Sequence, residues 1–430
     1  MDENEFQEQA PMIQTSEEQL EELQAKARKK GVKEGVLISL LSVFVIAFIC
    51  MIVLLIIKVR DGSMFFSAWN STSDSSDSIV TDEVEEKINV LKSAIDEYYL
   101  DEVDDEALQD GMYKGLLEGL DDPYSVYYTK KEYDDMMDSS SGIYYGIGAY
   151  LQQDVNTMEI KVTKPIPGTP AEEAGLQPDD IIKEVDGEDI SKEDINVVVS
   201  KIKGKEDTKV TLGIQREGED DLLQFEITRQ RVEITTVESK MLEDDIGYIW
   251  IYEFDDVTRD QFMSAFDDLN EQGMQSLILD LRDNPGGNLD VVVDIADRLL
   301  PEGLIVYTQN KYGQKDEFTS DAEHYFDKPL VVLVNGNSAS ASEILAGAIK
   351  DYKLGTLLGT TTYGKGIVQQ IVPLSDGTGV KLTVSKYYTP NGYNIHGVGI
   401  EPDETLEFDS DAYEKDQTDN QLNRAIELLK

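Results

Sequence analysis

The chain has 430 residues, too many for one ordinary core and enough for two or three domains. Its 38 basic and 86 acidic residues give a net charge of −48. That excludes a nucleic-acid surface, which needs Lys and Arg to displace counterions, and disfavours broad adhesion to anionic lipid.

In chain order, the first feature is "VLISLLSVFVIAFICMIVLLII", residues 36–57, which carries no charge. At 1.5 Å per residue it reaches roughly 33 Å, the thickness of a bilayer core. A cleaved signal peptide has a shorter apolar region and a small-residue cleavage site, so a membrane anchor is expected instead. "KARKKGVK" precedes the run, whereas only Lys58 and Arg60 follow before acid takes over. The positive-inside rule therefore puts residues 1–35 in the cytoplasm and residues 58–430 outside the cell membrane. The only cysteine, Cys50, lies inside the span, so the outer region is expected to hold neither a disulfide nor a thiol nucleophile.

Residues 58–78 read as a Ser-rich linker and residues 79–141 as a helical region. There Val84, Ile88, Leu91 and Ile95 recur at helical spacing, and a second helix is expected to stop near Gly119. Residues 142–230 change character. "YYGIGAYL" is a Gly-interrupted strand start, "TMEIKVTKPI" a strand, "GTPAEEAG" a short helix, and Asp186-Gly187 a turn. "KEDINVVVSKIKG" is an amphipathic helix, and "KVTLGIQREG" with "LLQFEITRQ" a hairpin, giving a small β-rich domain with two helices. From residue 231 to 405 strands and helices alternate, which implies an α/β core with chemistry available on its strand-end loops. "NQLNRAIELLK", in residues 406–430, is a closing helix.

Three stretches of the core could carry chemistry. "GTTTYGKGIVQQ" begins as the phosphate-loop pattern G-x-x-x-x-G-K. Residue 366 is Gly, however, where a metal-binding hydroxyl is required, and a strand-like run follows where a helix should start. "VNGNSASASEILAGAIKD" is a buried strand, a loop of small polar residues and a helix beginning around Ser340. A serine there sits beside free N–H groups and the positive end of the helix dipole, as an oxyanion requires. The same pattern fits a plain helix cap by Ser338, Ser340 or Ser342. Only His324 and His396 could serve as imidazole bases, and His324 lies in an acidic loop. Lysine is the other base, provided burial away from carboxylates lowers its pKa. Lys365 meets that condition: residues 354–373 contain no Asp or Glu. In "DLRDNPGGNLD", Gly286 and Gly287 could turn N–H groups into a cavity, or simply open a loop.

Together "SASASEI", "GKGIVQ", "DLRDNPGG" and "YYTPNGYNIHGVGIEPD" resemble the carboxyl-terminal processing proteases, serine endopeptidases with a Ser-Lys pair. "YGIGAYL" and "GTPAEEAGLQPDDIIKEVDG" resemble a PDZ domain. The resemblance covers residues 80 to 405 in order. It implies an α/β (α+β) protease core with an inserted PDZ-like domain at 142–230, beside the helical region and the one transmembrane helix. It further implies Ser340 as nucleophile, Lys365 as base and Gln369 orienting the lysine, with a turn or bulge at Gly366 bringing the last two together. Oxyanion donors would be the Ala341 N–H and one of Gly286 and Gly287. A substrate's apolar C-terminal tail would add to a sheet edge, its carboxylate meeting Tyr145, Gly146, Ile147 and Gly148. No cofactor and no metal are required, and "DEVDDE" lacks the glycine of a calcium loop. Rival readings are a catalytically silent PDZ scaffold and a Ser-His hydrolase using His396. Expected partners are protein or peptide substrates and the membrane, with a regulatory partner or homo-oligomer left open.

Overall fold

A computed structural model of the chain describes residues 78–154, 156–321 and 323–430. The expected span at 36–57 lies outside them, and among the described residues no helix is long and apolar enough to cross a membrane. The chain divides into two units: Met1–Val103 with Pro373–Ser375, and Asp104–Val372 with Asp376–Lys430.

The first unit contributes helix α1 (Asp82–Tyr98). The Thr81 hydroxyl accepts the Val84 N–H, and acids fill the first turn, where they favour the helix dipole. The periodic Val84, Ile88 and Leu91 are nonetheless exposed and no α1 residue is buried. The spacing marks an apolar face and does not by itself supply a surface to cover it.

The second unit begins with α2 (Asp105–Glu118), which stops at Gly119 as its glycine signals. Strand β1 (Val126–Tyr128) and helix α3 (Lys130–Ser141) follow. Thr129 and Glu132 form a reciprocal capping box at the start of α3, and Gly142 ends it in the left-handed region. The helical reading of residues 79–141 misses β1 because its partner strand lies near the other end of the chain.

The β-rich domain runs from β2 (Ile143–Gly146) and β3 (Ala149–Gln153) through β4 (Ile160–Pro165), α4 (Pro170–Glu173), β5 (Ile181–Val185) and β6 (Glu188–Asp189). Helix α5 (Ile195–Ile202), then β7 (Lys209–Gln215) and β8 (Leu223–Thr228), complete it. Its sheet has the order β3-β4-β5-β7-β8, with β6 on β5. β3 is thus an edge strand. Ile160, Val162, Ile182, Val198, Leu212 and Ile214 form its core. β2 does not join this sheet. It pairs antiparallel with β9 (Gln230–Glu233), so a two-stranded ribbon links the domain to the core.

The core sheet contains β10 (Val237–Met241), β11 (Ile246–Ile251), β12 (Ser276–Asp280), β15 (Leu330–Val334), β16 (Thr356–Gly359) and β19 (Glu404–Thr405), in that order. β13 (Gly303–Asn310) and β14 (Lys315–Ser320) fall between β12 and β15 in sequence and join a second sheet with β1, β17 (Ile367–Pro373) and β18 (Gly379–Tyr388). From β11 to β19 all pairings are parallel. The "SLILD" of β12 and "LVVLV" of β15 are buried throughout, as central parallel strands must be. Alternation still sorts their faces. Leu277, Leu279, Val332 and Val334 meet α6 (Thr258–Glu271), α7 (Leu289–Leu299) and α8 (Ala341–Tyr352). Ile278, Val331 and Leu333 meet the C-terminal segment. That segment is two helices, not one: α9 (Ser410–Asp416) and α10 (Asn420–Leu429). The buried Asp280 carboxylate accepts from Arg282 and from the Tyr248 hydroxyl (2.8 Å), and Arg282 also pairs with Asp419 at 2.8 Å. This chain of charges ties α10 to the loop that follows β12.

Candidate active site

Three loops meet at the carboxyl ends of adjacent parallel strands: residues 281–288 after β12, 335–340 after β15 and 360–366 after β16. The middle loop separates its serines by role. Ser338 donates to the Leu281 carbonyl at 2.8 Å and accepts the Asn335 N–H at 2.9 Å. Ser342 is fully buried and donates to the Asn284 carbonyl at 3.0 Å. Both are structural. Ser340 stands at φ 54°, ψ −112°, and its hydroxyl caps nothing. The Glu343 N–H goes instead to the Ser340 carbonyl at 2.9 Å. A non-glycine residue held there costs on the order of 1–3 kcal/mol, a strain that clusters at functional sites.

Glu343 explains how that conformation is kept. Its side chain is fully buried, three residues into the helix. Oε2 accepts the Ser340 N–H at 2.9 Å and the Lys365 N–H at 2.8 Å. Oε1 accepts the Thr362 hydroxyl at 2.6 Å and the Gly364 N–H at 2.7 Å. One carboxylate therefore joins the Ser340 turn to the Lys365 loop. A buried charge is tolerable only when hydrogen-bonded in this way. The loop is held from its other side by the closing motif. Gly397 N–H reaches the Gly364 carbonyl at 2.8 Å, Ile400 N–H reaches Thr362 Oγ1 at 2.8 Å, and Tyr387 N–H reaches the Gly366 carbonyl at 3.2 Å. The buried Tyr387 hydroxyl also donates to the Ser340 carbonyl at 3.0 Å.

Lys365 is half-buried. Burial pushes its amine below the ordinary value, the charge of Lys381 adds to this, and Glu343 opposes it. Its Nζ lies 5.0 Å from the centroid of the Tyr124 ring. No hydrogen bond joins Nζ to the Ser340 hydroxyl in this conformation. A strand follows Gly366 where a phosphate loop would need a helix.

The loop after β12 reaches the same place. Gly286 has φ 107° and Gly287 φ 142°. A Cβ on Gly286 would stand 2.7 Å from Ser340 Cβ and 2.9 Å from Ala341 N. A Cβ on Gly287 would stand 2.3 Å from the Phe254 carbonyl oxygen. Only glycine fits either position. The Gly286 N–H is given to Asn284 Oδ1 at 2.8 Å. Among the described residues the N–H groups of Gly287 and Ala341 have no acceptor.

The remaining candidates divide. Gln369 lies within β17 and donates to Thr383 Oγ1 at 3.4 Å, not to Lys365. His396 packs its backbone against Gly366 while its side chain is exposed and unbonded to Ser340. In the β-rich domain, Tyr145 and Gly146 belong to the β2 ribbon. The Ile147 and Gly148 carbonyls accept from Ala171 N–H and Ile166 N–H, and among the described residues their own N–H groups have no acceptor. Asp321, Glu323 and His324 have ligand atoms within 4.8 Å of one another, but all three are exposed, as solvated acidic groups commonly are.

Glu343, Tyr124 and Tyr387 escape a sequence reading. Glu343 does carry a signal, S-x-x-E at a helix start, which reads as an ordinary capping box. Glu343→Gln replaces one acceptor by a donor facing N–H groups, and each buried donor left unpaired costs roughly 1–3 kcal/mol. The expected outcome is a lower unfolding midpoint together with at least about tenfold slower peptide cleavage. Unchanged stability and rate in that variant would show that the carboxylate does not organise the site.

The family model for peptidase family S41 matches residues 245–406, that for a PDZ domain residues 161–216, and that for the activating protease CtpB N-terminal domain residues 57–132. Over 320 residues the chain is 39% identical to the carboxyl-terminal-processing protease of Synechocystis sp., covering 73% of this chain and 75% of that one. It is 37% identical over 318 residues to the carboxy-terminal processing protease CtpA of Bacillus subtilis, covering 74% and 68%. The solved photosystem II D1 C-terminal processing protease has 30% identity, covers 74% of this chain and 86% of its own, and gives a TM-score of 0.44. The chain therefore belongs to peptidase family S41, as a C-terminal processing serine protease with a PDZ domain.

Proposed function

We propose that the chain is a membrane-anchored, extracytoplasmic endopeptidase in which Ser340 is the nucleophile and Lys365 its general base. One observation carries this reading. The only serine of its loop with an uncommitted hydroxyl is pinned, through Glu343, to the backbone of a half-buried lysine whose amine burial pushes down. Neutral Lys365 takes the Ser340 proton as Oγ attacks the scissile carbonyl. The developing oxyanion is held by the Ala341 N–H at the tip of α8 and by the Gly287 N–H. Gly286 is the poorer donor because its N–H already serves Asn284. Protonated Lys365 then gives its proton to the leaving amine, and water releases the acyl-enzyme. Since no hydrogen bond links the two side chains at rest, rotation of Lys365 toward Ser340 on substrate binding completes the pair.

The PDZ domain supplies tail recognition. β3 offers a free edge to an added strand, and the unused Ile147 and Gly148 N–H groups suit a terminal carboxylate. Leu151 of β3 is partly exposed and packs against the apolar core that holds Ile147, Val198 and Ile202, which favours an apolar tail along that edge. A route to the protease site runs through the ribbon. Ile234 N–H reaches the Gly142 carbonyl at 2.8 Å, and Asp256 N–H reaches that of Ser140 at 3.3 Å. Phe254 in turn bonds Gly286 and Asn288 at 2.9 and 2.7 Å. Anchoring rests on the uncharged run at 36–57 and its basic N-terminal flank.

Cleavage of an unfolded protein with an apolar tail is expected to vanish in Ser340→Ala and Lys365→Ala and to persist in His396→Ala. A base with a lowered pKa is neutral above that pKa, so kcat/KM should rise with pH and level off below pH 10.5. Full activity in Lys365→Ala would sink the pair, and loss of activity in His396→Ala alone would favour the imidazole. Deleting residues 145–228 should alter tail preference or basal rate. Neither change would remove the PDZ domain from substrate selection.

A further inference from the structure

The lysine amine is covered by a segment far from it in sequence. Tyr124 belongs to "DDPYS", residues 121–125, which runs directly into β1. β1 pairs antiparallel with β18, Val126 opposite Lys381, so the turn is fixed beside the strand that carries Lys381 and Thr383. Asp122 organises it. Its Oδ1 accepts the Tyr124 N–H at 3.1 Å and its Oδ2 accepts the Ser125 hydroxyl at 2.6 Å. Ser125 Oγ accepts the Thr383 N–H at 3.1 Å, and Thr383 Oγ1 accepts Gln369 Nε2 at 3.4 Å. Desolvation opposes the charge on Asp122, yet contacts with Ser125, Thr383 and the Tyr124 N–H hold it below the usual carboxylate range. One turn thus reaches both residues: Lys365 through an aromatic face and Gln369 through a chain of hydrogen bonds.

We propose that Tyr124 is a positioning residue for the lysine base: its ring covers the Lys365 ammonium from water, and the Asp122 turn sets the ring and Gln369 in one register. This rests on the reading of Lys365 as general base. The titratable groups that act on the amine are Lys381 of β18 and Glu343 of α8, with the Tyr124 ring over it; Tyr363 and Asp122 act in turn on Tyr124, and His396 on Asp122. A ring face attracts an ammonium ion and so favours the charged form. Water exclusion favours the neutral form, and burial is the largest cause of the lowered pKa of this lysine. Taking the ring away therefore admits water and makes the base harder to deprotonate.

The test is the pH profile of kcat/KM for the full chain and its Tyr124 variants, beside Lys365→Ala. Tyr124→Phe keeps the ring and should keep the ascending limb of the wild type. Tyr124→Ala should move that limb to higher pH, with kcat near neutrality falling roughly tenfold per unit moved, recovery in alkali and little change in KM. Tyr124→Gln, which fills the space with polar atoms, should move it the same way and serves if Tyr124→Ala does not fold. An unmoved limb, whether the rate is kept or lowered equally at every pH, overturns the role of Tyr124. Full activity in Lys365→Ala overturns the reading of the base itself. Inactivity there with an unmoved limb in the Tyr124 variants overturns the positioning role alone.

Discussion

The site depends on one buried carboxylate. Glu343 is fully buried and among the described residues makes no ion pair, so its charge is paid for by four donors from two loops. The arrangement is demanding in both directions. If the Thr362–Lys365 loop moved away, three donors would be lost and a bare anion left in the core. If Ser340 relaxed to ordinary helix-entry dihedrals, its N–H would turn off Oε2. The strain at Ser340 and the place of Lys365 are thus held by the same electrostatic constraint, and the serine hydroxyl stays free because the Glu343 N–H goes to the Ser340 carbonyl instead.

The sheet makes that constraint possible. β12, β15 and β16 are neighbours and parallel, so the loops leaving their carboxyl ends lie side by side. Parallel strands buried on both faces fix the three exits in one register. Each exit supplies a different part: glycines that allow close backbone approach, a serine at a helix tip, and a lysine whose flanking sequence carries no Asp or Glu. Covers are then added from the chain's extremes. The turn before β1 lies over the lysine, and α10 anchors Arg282 below the glycine loop through Asp419.

What was legible in the sequence follows from locality. The uniformly apolar β12 and β15, the helix at residue 341 and the Asp186-Gly187 turn all write their reasons within a few residues. Ser340, Lys365 and the glycine pair lie in short runs of unusual composition, so they too could be found. Three serines of one loop could not be told apart, because the distinction lies in acceptors supplied by Leu281 and Asn284. Likewise the choice between Gly286 and Gly287 needs Asn284 Oδ1, and Gln369 turns to Thr383 rather than Lys365 because β18 lies beside β17. β1 reads as helical for the same reason: its partner is remote. Glu343 was visible only as a helix cap, since sequence does not show that its second oxygen reaches another loop.

The central claim is that this fold keeps a lysine amine ready to accept a proton beside Ser340. Direct titration tests it: NMR of the 15N-labelled Lys365 side chain in the resting protein, assigned by its absence in Lys365→Ala. The account predicts a pKa below the ordinary 10.5, in keeping with burial and the nearby Lys381 charge. A pKa at or above 10.5 would contradict it, because the lysine would then remain a cation where the reaction needs a base.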